Sequence, residues 1–344
     1  MKPHEPTLAA AGPDLGEFRR MLHEIGRGAH GARALPPADA RALWDAILDR
    51  RLPQAMIGAA LMAFRFKGET VDEIGALLDA AQARAGALGA AAGHRLVCLP
   101  CYNGARRMPN LAWLMALALR ETGCPVLLHG VRRQAGRLTT CEVAGAAGMP
   151  AAESVEEAAY MLREQRIAFL PIDVWCPPMA QLLAMREVLG VRNSAHSAAK
   201  LLQPEGAALS LVPVTHADYL PLASGVLAAR GARALLFRGV DGEPAPHPNT
   251  QRSVLRVLDG HVDELVLSPA CAPDPAADLA ADADAAAVAG WSADVIAGRR
   301  PMPSMVGQFV GLAVETVERG RRPGGGPGIG QDAAPMAAAR GERA

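Results

Sequence analysis

Short apolar segments alternate with helical segments from residue 94 onward, and this alternation restricts the fold more than any other feature. Six segments are strand candidates, and they begin at residues 95, 125, 166, 208, 233 and 262 (RLVCLP, PVLLHG, RIAFLP, ALSLVPV, RALLFRG and VDELVLS). Such alternation is typical of a largely parallel sheet covered by helices. Ligands of such sheets bind at the loops that follow the carboxyl ends of the strands. The pattern therefore predicts an α/β domain over residues 94–320, with its site on those loops.

Residues 15–93 contain only helical patterns. Residues 37–51 (PADARALWDAILDRR) carry an apolar stripe at helical spacing, and Pro53 opens the next helix. Thr70 and Glu73 form the capping box of a third helix. We therefore predict a small all-helical domain over this stretch.

Both ends of the chain lie outside these two predicted domains. Residues 1–14 and the Gly- and Ala-rich tail 321–344 are predicted to be disordered. No apolar run has the roughly 18 residues that a membrane span needs, and the first residues lack the apolar core of a signal peptide. The six cysteines are irregularly spaced, which favours a reducing compartment. We predict a cytoplasmic protein with no membrane partner.

Charge is balanced over the whole chain but not along it. The 35 basic and 35 acidic residues exclude a globally basic nucleic-acid binder, so any attraction for phosphate is local. Within residues 94–137 a single acid, Glu121, accompanies seven arginines: Arg95, Arg106, Arg107, Arg120, Arg132, Arg133 and Arg137. This excess is the first indication of an anion site.

Two loops that follow predicted strands carry most of this charge. They are residues 100–110 (PCYNGARRMPN) and 129–140 (HGVRRQAGRLTT). Guanidinium groups present a planar fork that suits phosphate oxygens, and a loop tyrosine can stack on a base. The candidate phosphate-binding residues are Tyr102, Asn103, Arg106, Arg107, Arg132, Arg133 and Arg137. Solvated surface arginines are the alternative interpretation.

Two further segments carry weaker candidates. A helix over residues 186–200 would place Arg192, His196 and Lys200 on one face, which extends the track or is an ordinary solvated face. Asp241 and Glu243 follow a strand and are weak candidates for Mg²⁺, with a simple turn as the alternative.

Cysteine and histidine motifs give little support for metal or redox chemistry. Cys98 and Cys101 have the spacing of a zinc or redox pair, but a second pair is missing. His129 ends a strand and is a possible base, although nothing nearby in sequence orients it. We predict no metal site and no catalytic residue.

The order of these segments resembles the anthranilate phosphoribosyltransferase family, glycosyltransferase family 3. The resemblance covers roughly residues 20–320 and includes the stretch ALMAFRFKGETVDEI and the spacing from Asn110 to Gly130. It implies a nucleoside phosphorylase/phosphoribosyltransferase-like α/β domain. It also implies a helical domain that mediates homodimerisation and is completed by a helical segment within residues 176–203.

The catalytic signatures of that family are changed. Its Gly-Thr-Gly-Gly-Asp diphosphate loop is replaced by residues 101–106, and the Ser and Thr after its motif asparagine are replaced by Ala112 and Trp113. Its paired Asp-Glu becomes Asp241-Gly242-Glu243, and its Lys-His-Gly-Asn becomes Leu128-His129-Gly130-Val131. Arg192 falls on the position of an arginine that contacts anthranilate.

These changes resemble the YbiB-type branch of the family, which keeps the fold and dimer and binds nucleic acid without strong sequence preference. The resemblance implies a homodimer that binds DNA or RNA backbone through an arginine-lined cleft and needs no cofactor. An active phosphoribosyl- or glycosyltransferase on an unknown acceptor, with Mg²⁺, is the alternative. A sensor of a small anionic metabolite is the third hypothesis.

Overall fold

The six predicted strands belong to one seven-stranded sheet. The computed structural model describes residues 15–28, 30–89, 94–247, 253–269, 275–280 and 282–320. The strands are β1 (Val97–Cys101), β2 (Val126–Gly130), β3 (Ile167–Pro171), β4 (Leu209–Val214), β5 (Ala234–Arg238), β6 (Ser253–Leu258) and β7 (His261–Val266). The sequence did not predict β6, which pairs with β7 across a tight turn.

The sheet is mixed and its order is β3-β2-β1-β4-β5-β6-β7. Strands β1 to β5 pair in parallel with one another, whereas β6 pairs antiparallel with both β5 and β7. Strands β1 to β4 are buried along their whole length, as expected of strands covered by helices on both faces. Successive strands are added on one side of β1 up to β3 and on its other side from β4 onward. The loops that follow β1 and β4 therefore run in opposite directions and leave a crevice between them.

Thirteen α-helices lie in the described residues. They are α1 (Leu15–Ile25), α2 (Pro37–Leu48), α3 (Gln54–Lys67), α4 (Val71–Gln82), α5 (Ala112–Glu121), α6 (Thr140–Ala146), α7 (Val155–Gln165), α8 (Ile172–Trp175), α9 (Pro177–Leu189), α10 (Ala195–Leu201), α11 (Leu220–Ala229), α12 (Ala285–Ile296) and α13 (Ser304–Arg319). Within the described residues, no helix is long and apolar enough to cross a bilayer.

The first four helices form a bundle. Trp44 of α2 and Phe64 of α3 stack with ring centroids 4.7 Å apart, and both side chains are fully buried. The predicted capping box is present, because Glu73 N–H donates to Thr70 Oγ1 and Thr70 N–H donates to a Glu73 carboxylate oxygen. Helix α9 packs on α2, and α10 packs on α4. The bundle therefore borders the crevice end of the sheet.

Two details differ from the sequence prediction. Arg192 precedes α10, which begins at Ala195, so Arg192 does not share a helix with His196 and Lys200. The predicted helix over residues 186–200 is instead divided, because α9 ends at Leu189 and α10 begins only after the Asn193 side chain accepts the Ala195 N–H. The termini predicted to be disordered, residues 1–14 and 321–344, lie outside the described residues.

Candidate functional site

The loop after β1 is held against the loop after β5 by two carboxylates. Glu243 Oε1 accepts the N–H groups of Asn103 and Gly104, both at 2.8 Å. Asp241 Oδ2 accepts the N–H groups of Arg106 and Arg107, also at 2.8 Å. Successive backbone N–H groups of this kind are what a phosphate-binding loop offers to an anion. Here, the protein's own carboxylates accept them.

Buried polar contacts complete this closed loop. Glu243 Oε2 accepts the Thr140 hydroxyl at 2.7 Å, and Lys200 Nζ donates to the Gly242 carbonyl at 2.8 Å. Gly242 has a φ of 84°, and a Cβ there would lie 2.1 Å from Asn103 Nδ2. Only glycine fits between the two carboxylate positions, so the arrangement is specified by the sequence Asp-Gly-Glu.

These contacts disfavour Mg²⁺ at Asp241 and Glu243. Three of the four carboxylate oxygens already accept five hydrogen bonds from the protein, whereas a magnesium ligand needs a free oxygen facing the ion. Ala112 and Trp113 are buried and supply no oxygen ligand. Across the described ranges, no group of three or more His, Cys, Asp or Glu side chains could hold a metal ion.

A cavity of about 470 Å³ opens beside this loop, between the helical bundle and the end of β4. Asn103 and Lys200 line it from the closed loop, and Arg65 and Arg192 line it from the bundle side. Its one lining carboxylate, Glu69, accepts the Ser194 hydroxyl at 2.6 Å. Among the charged side chains of the lining, three are basic (Arg65, Arg192 and Lys200) and one is acidic.

Seven arginines, here called the arginine track, lie at or near this cavity and on the loops after β1 and β2. Arg65 Nη1 donates to the Arg192 carbonyl at 2.9 Å, and Arg137 Nη1 donates to the Gly104 carbonyl at 3.0 Å. Within the described ranges, none of the seven side chains forms an ion pair. The members of the track are Arg65, Arg106, Arg107, Arg133, Arg137, Arg186 and Arg192.

Electrostatic repulsion is concentrated at Arg192. Burial lowers the pKa of its guanidinium, and the nearby guanidiniums of Arg186, Arg137 and Arg65 lower it further. Burial also lowers the pKa of Lys200 to about 8, against the raising effect of Glu243. Half-buried cations without counter-charges are stabilised by a bound anion.

Several predicted site residues lie where the sequence analysis did not place them. Tyr102 is 5% exposed and its hydroxyl is 2.9 Å from His129 Nδ1, so its ring is not available to stack on a base. Asn103 is also buried. Arg132 forms ion pairs with Glu153 and Asp173, so its guanidinium is already neutralised. Lys200 lines the cavity, but its ammonium group is buried against carbonyls.

The remaining predicted residues, Arg106, Arg107, Arg133, Arg137 and Arg192, belong to the track. Sequence reasoning missed Arg65 and two cavity-lining aromatic residues, Phe66 and Tyr219, and it noted Arg186 beside Arg192 without including it among the candidate site residues. Arg65 and Phe66 end an ordinary apolar helix, and only the packing of α3 against the residue 192 region brings them to the cavity.

The histidine and cysteine candidates are buried. Burial lowers the pKa of His129 to about 3, and its ring packs edge-on against Trp175 at 4.9 Å. Burial raises the pKa of the Cys98 thiol to about 12 and that of Cys101 well above its usual value. His129 is thus neutral at pH 7 and the two cysteines are thiols.

Sequence comparisons agree with the architecture. A family model described as the helical bundle domain of a glycosyl transferase family matches residues 19–85. YbiB of Escherichia coli K12, described as an uncharacterized protein, is 37% identical over 235 residues, which cover 67% of this chain and 73% of the relative. Anthranilate phosphoribosyltransferase of Leifsonia xyli is 31% identical over 236 residues, which cover 68% of this chain and 67% of the relative.

Solved structures share the fold. Anthranilate phosphoribosyltransferase from Thermus thermophilus superimposes with a TM-score of 0.71 at 21% identity, covering 88% of each chain. The Saccharomyces cerevisiae enzyme, solved in complex with PRPP and Mg, gives a TM-score of 0.65 at 11% identity and covers 88% of this chain and 89% of its own.

Proposed function

This chain belongs to the family of anthranilate phosphoribosyltransferase-like glycosyl transferases, and we propose that it uses the family fold to bind the phosphate backbone of DNA or RNA without sequence preference. The proposal includes a cytoplasmic location, as the sequence predicts. The observation that carries it is the arginine track, whose seven guanidiniums have no acidic partner in the described residues. Contacts to phosphate alone carry little base information, so such binding tolerates any sequence.

The closed loop after β1 supports binding over catalysis. A transferase that uses phosphoribosyl diphosphate must neutralise a diphosphate, for which backbone N–H groups and metal ions are the usual means. In this chain Asp241 and Glu243 already accept the N–H groups of residues 103, 104, 106 and 107. A diphosphate would have to displace two carboxylates, one of which is buried.

Binding to a labelled oligonucleotide, measured by fluorescence anisotropy across a salt series, tests the proposal. Each neutralised phosphate contributes a log–log slope of about −0.9 in duplex DNA and about −0.7 in single strands. Replacing Arg106 and Arg107 together with Ala should weaken binding to unrelated sequences equally and make the slope shallower by about one unit per lost contact. Arg192→Ala should act in the same direction.

The chain provides matched controls. Arg132→Ala, beside Arg133 but paired with Glu153 and Asp173, should change affinity and slope less than Arg133→Ala. Arg163→Ala alters an exposed arginine of α7 outside the track. Replacing Arg321 and Arg322 tests the basic tail. If the tail variant abolishes binding while the track variants leave affinity and slope unchanged, the cleft is not the interface.

A phosphoribosyltransferase is the second candidate function, favoured by the relatives and by the structural neighbours. Its test is conversion of anthranilate and phosphoribosyl diphosphate with Mg²⁺, together with calorimetric titration of phosphoribosyl diphosphate. We expect neither turnover nor binding, because Ala112 and the closed loop do not form a magnesium–diphosphate site. Magnesium-dependent turnover above a buffer control would establish the enzyme instead.

A further inference from the structure

Two aromatic rings at the cavity are not explained by phosphate binding. Phe66, at the end of α3, is 79% exposed, and Tyr219, just before α11, is 41% exposed. Both line the cavity that Arg192 and Lys200 also line. An exposed phenylalanine beside unpaired guanidiniums suits a ligand that has both an apolar part and an anionic part.

Ordered elements hold both rings. Arg65, the neighbour of Phe66, donates to the Arg192 carbonyl, and Gly68 ends α3 with its N–H on the Phe64 carbonyl. Tyr219 lies in a single turn of 3-10 helix, and its backbone N–H donates to the His216 carbonyl at 3.2 Å. Placing recognition residues on such elements reduces the entropy lost when a ligand binds.

The other cavity residues supply neutral polar groups. Thr215 and Ser197 contribute hydroxyls, and burial with the nearby Arg192 lowers the pKa of His196 to about 4, which leaves its imidazole neutral at pH 7. The volume of about 470 Å³ lies within the range of small-ligand sites. The cavity thus combines aromatic stacking surfaces, uncharged hydrogen-bonding groups and a cationic rim.

We infer that this cavity takes one unstacked nucleobase of a bound single strand, with the base against Phe66 and Tyr219 and an adjacent phosphate on Arg192. The inference rests on the proposed nucleic-acid binding and adds a base subsite to it. Bases of a duplex are stacked and paired, so only an unpaired base can enter. Stacking on aromatic side chains accepts every base, which agrees with binding that ignores sequence.

The experiment compares two strands with the same number of phosphates, an oligothymidylate and a fully abasic strand of equal length, on the full chain. Every base is removed because a strand lacking one base can slide until another base reaches the cavity. The base-bearing strand should bind about 5- to 150-fold more tightly. Phe66→Ala or Tyr219→Ala should reduce this ratio toward one and leave the salt slope unchanged.

Control variants separate stacking from other effects. Tyr219→Phe keeps the ring and should keep most of the ratio. Tyr160→Ala removes a tyrosine of α7 that is 56% exposed and does not line the cavity, and it should leave the ratio unchanged. Circular dichroism melting of each variant should match the parent, because the replaced rings are exposed.

The outcomes distinguish this inference from the proposed function. Equal, salt-dependent binding of both strands overturns the base subsite and leaves backbone binding intact. Failure of both strands to bind overturns both. A free nucleoside monophosphate that binds as tightly as the strand would assign the cavity to a small anionic aromatic metabolite and overturn the strand subsite.

Discussion

At the residue scale, Glu243 determines the shape of the loop after β1. A buried carboxylate is costly unless hydrogen bonds satisfy it, and Glu243 accepts from Asn103 N–H, Gly104 N–H and the Thr140 hydroxyl. Its charge also raises the pKa of the nearby Lys200 against the larger effect of burial. One side chain therefore joins the loop after β1, α6 and the loop after β5.

Glu243→Ala should destabilise the protein by about 3 kcal/mol or more, because three donors lose their acceptor at about 1–3 kcal/mol for each buried one. Urea unfolding followed by circular dichroism measures this loss. Glu264→Ala, an exposed carboxylate of β7, is the matched control and should stay within about 0.5 kcal/mol of the parent. Equal stability of the two variants would contradict the role of Glu243.

The buried His129 and the partly buried His196 predict how acid affects stability. The folded-state pKa values are about 3 for His129 and about 4 for His196, both below the ordinary 6.5. Below pH 6.5 the unfolded chain therefore binds more protons than the folded chain, and stability falls as the pH falls. Each histidine contributes up to about 1.4 kcal/mol for each pH unit, down to its folded pKa.

The two histidines together make the unfolding free energy fall with pH between pH 6 and about 4.5, and His129→Asn should remove about half of that slope. The readout is the slope of unfolding free energy against pH, because the smaller side chain also lowers stability at neutral pH. His261→Asn, an exposed position on β7, should leave the slope unchanged. An unaltered slope in His129→Asn would show that this histidine is protonated in the folded protein at those pH values.

At the scale of elements, the start of α4 anchors the bundle. Glu73 is fully buried, and its carboxylate accepts from Lys67 Nζ at 2.7 Å, Thr70 N–H at 2.9 Å and Leu35 N–H at 3.0 Å. The same residue thus completes a capping box and connects α4 to the end of α3, where Phe66 lies. The cavity wall depends on this connection.

Glu73→Ala should cost about 3–5 kcal/mol, because it leaves the ammonium group of Lys67 unpaired at a buried position. Thr70→Ala, which removes only the cap, should cost about 1 kcal/mol. Asp72→Ala changes an exposed acid in the same turn and controls for the helix dipole. Chemical unfolding gives the loss of unfolding free energy for each of the three variants. If Asp72→Ala lost as much as Glu73→Ala, the role of Glu73 as the anchor of α4 would be refuted.

At the scale of the whole molecule, charge is separated although the net charge is zero. Arg132, Arg230, Arg233 and Arg256 are paired with acids away from the cavity, whereas the track has no such partners in the described residues. The unpaired positive charge is consequently concentrated around Arg192, where Arg65, Arg137 and Arg186 are close by. Association through the helical bundle, which the family resemblance implies, would place two such clefts in one particle.

We predict a homodimer, with twice the 35.9 kDa chain mass by light scattering at micromolar concentration. Val188 of α9, in the bundle, is 79% exposed, so Val188→Glu should shift the mass toward the monomer because a charge enters an apolar interface. Val266→Glu is the matched control at the sheet edge, where Val266 is 87% exposed. Dissociation by Val266→Glu alone would place the interface at β7, and a monomeric parent would refute the dimer.

The sequence by itself determined the elements whose signals are local. Apolar runs bounded by helical segments predicted six of the seven strands, and the Thr70–Glu73 spacing predicted the cap of α4. The two charged loops follow neighbouring parallel strands, β1 and β2, and in the structure Ala105 and Leu138 pair across them. These features depend on backbone periodicity and on contacts a few residues apart, so a linear pattern is enough to find them.

Tertiary contacts determine which polar groups are satisfied and which are left for a ligand. Glu243 contacts Asn103 across 140 positions, and Asp173 neutralises Arg132 across 41. Burial of Tyr102 likewise depends on His129 from the neighbouring strand. Whether an arginine or an aromatic ring is available to a ligand depends on the partners that folding brings to it, and these partners are distant in sequence.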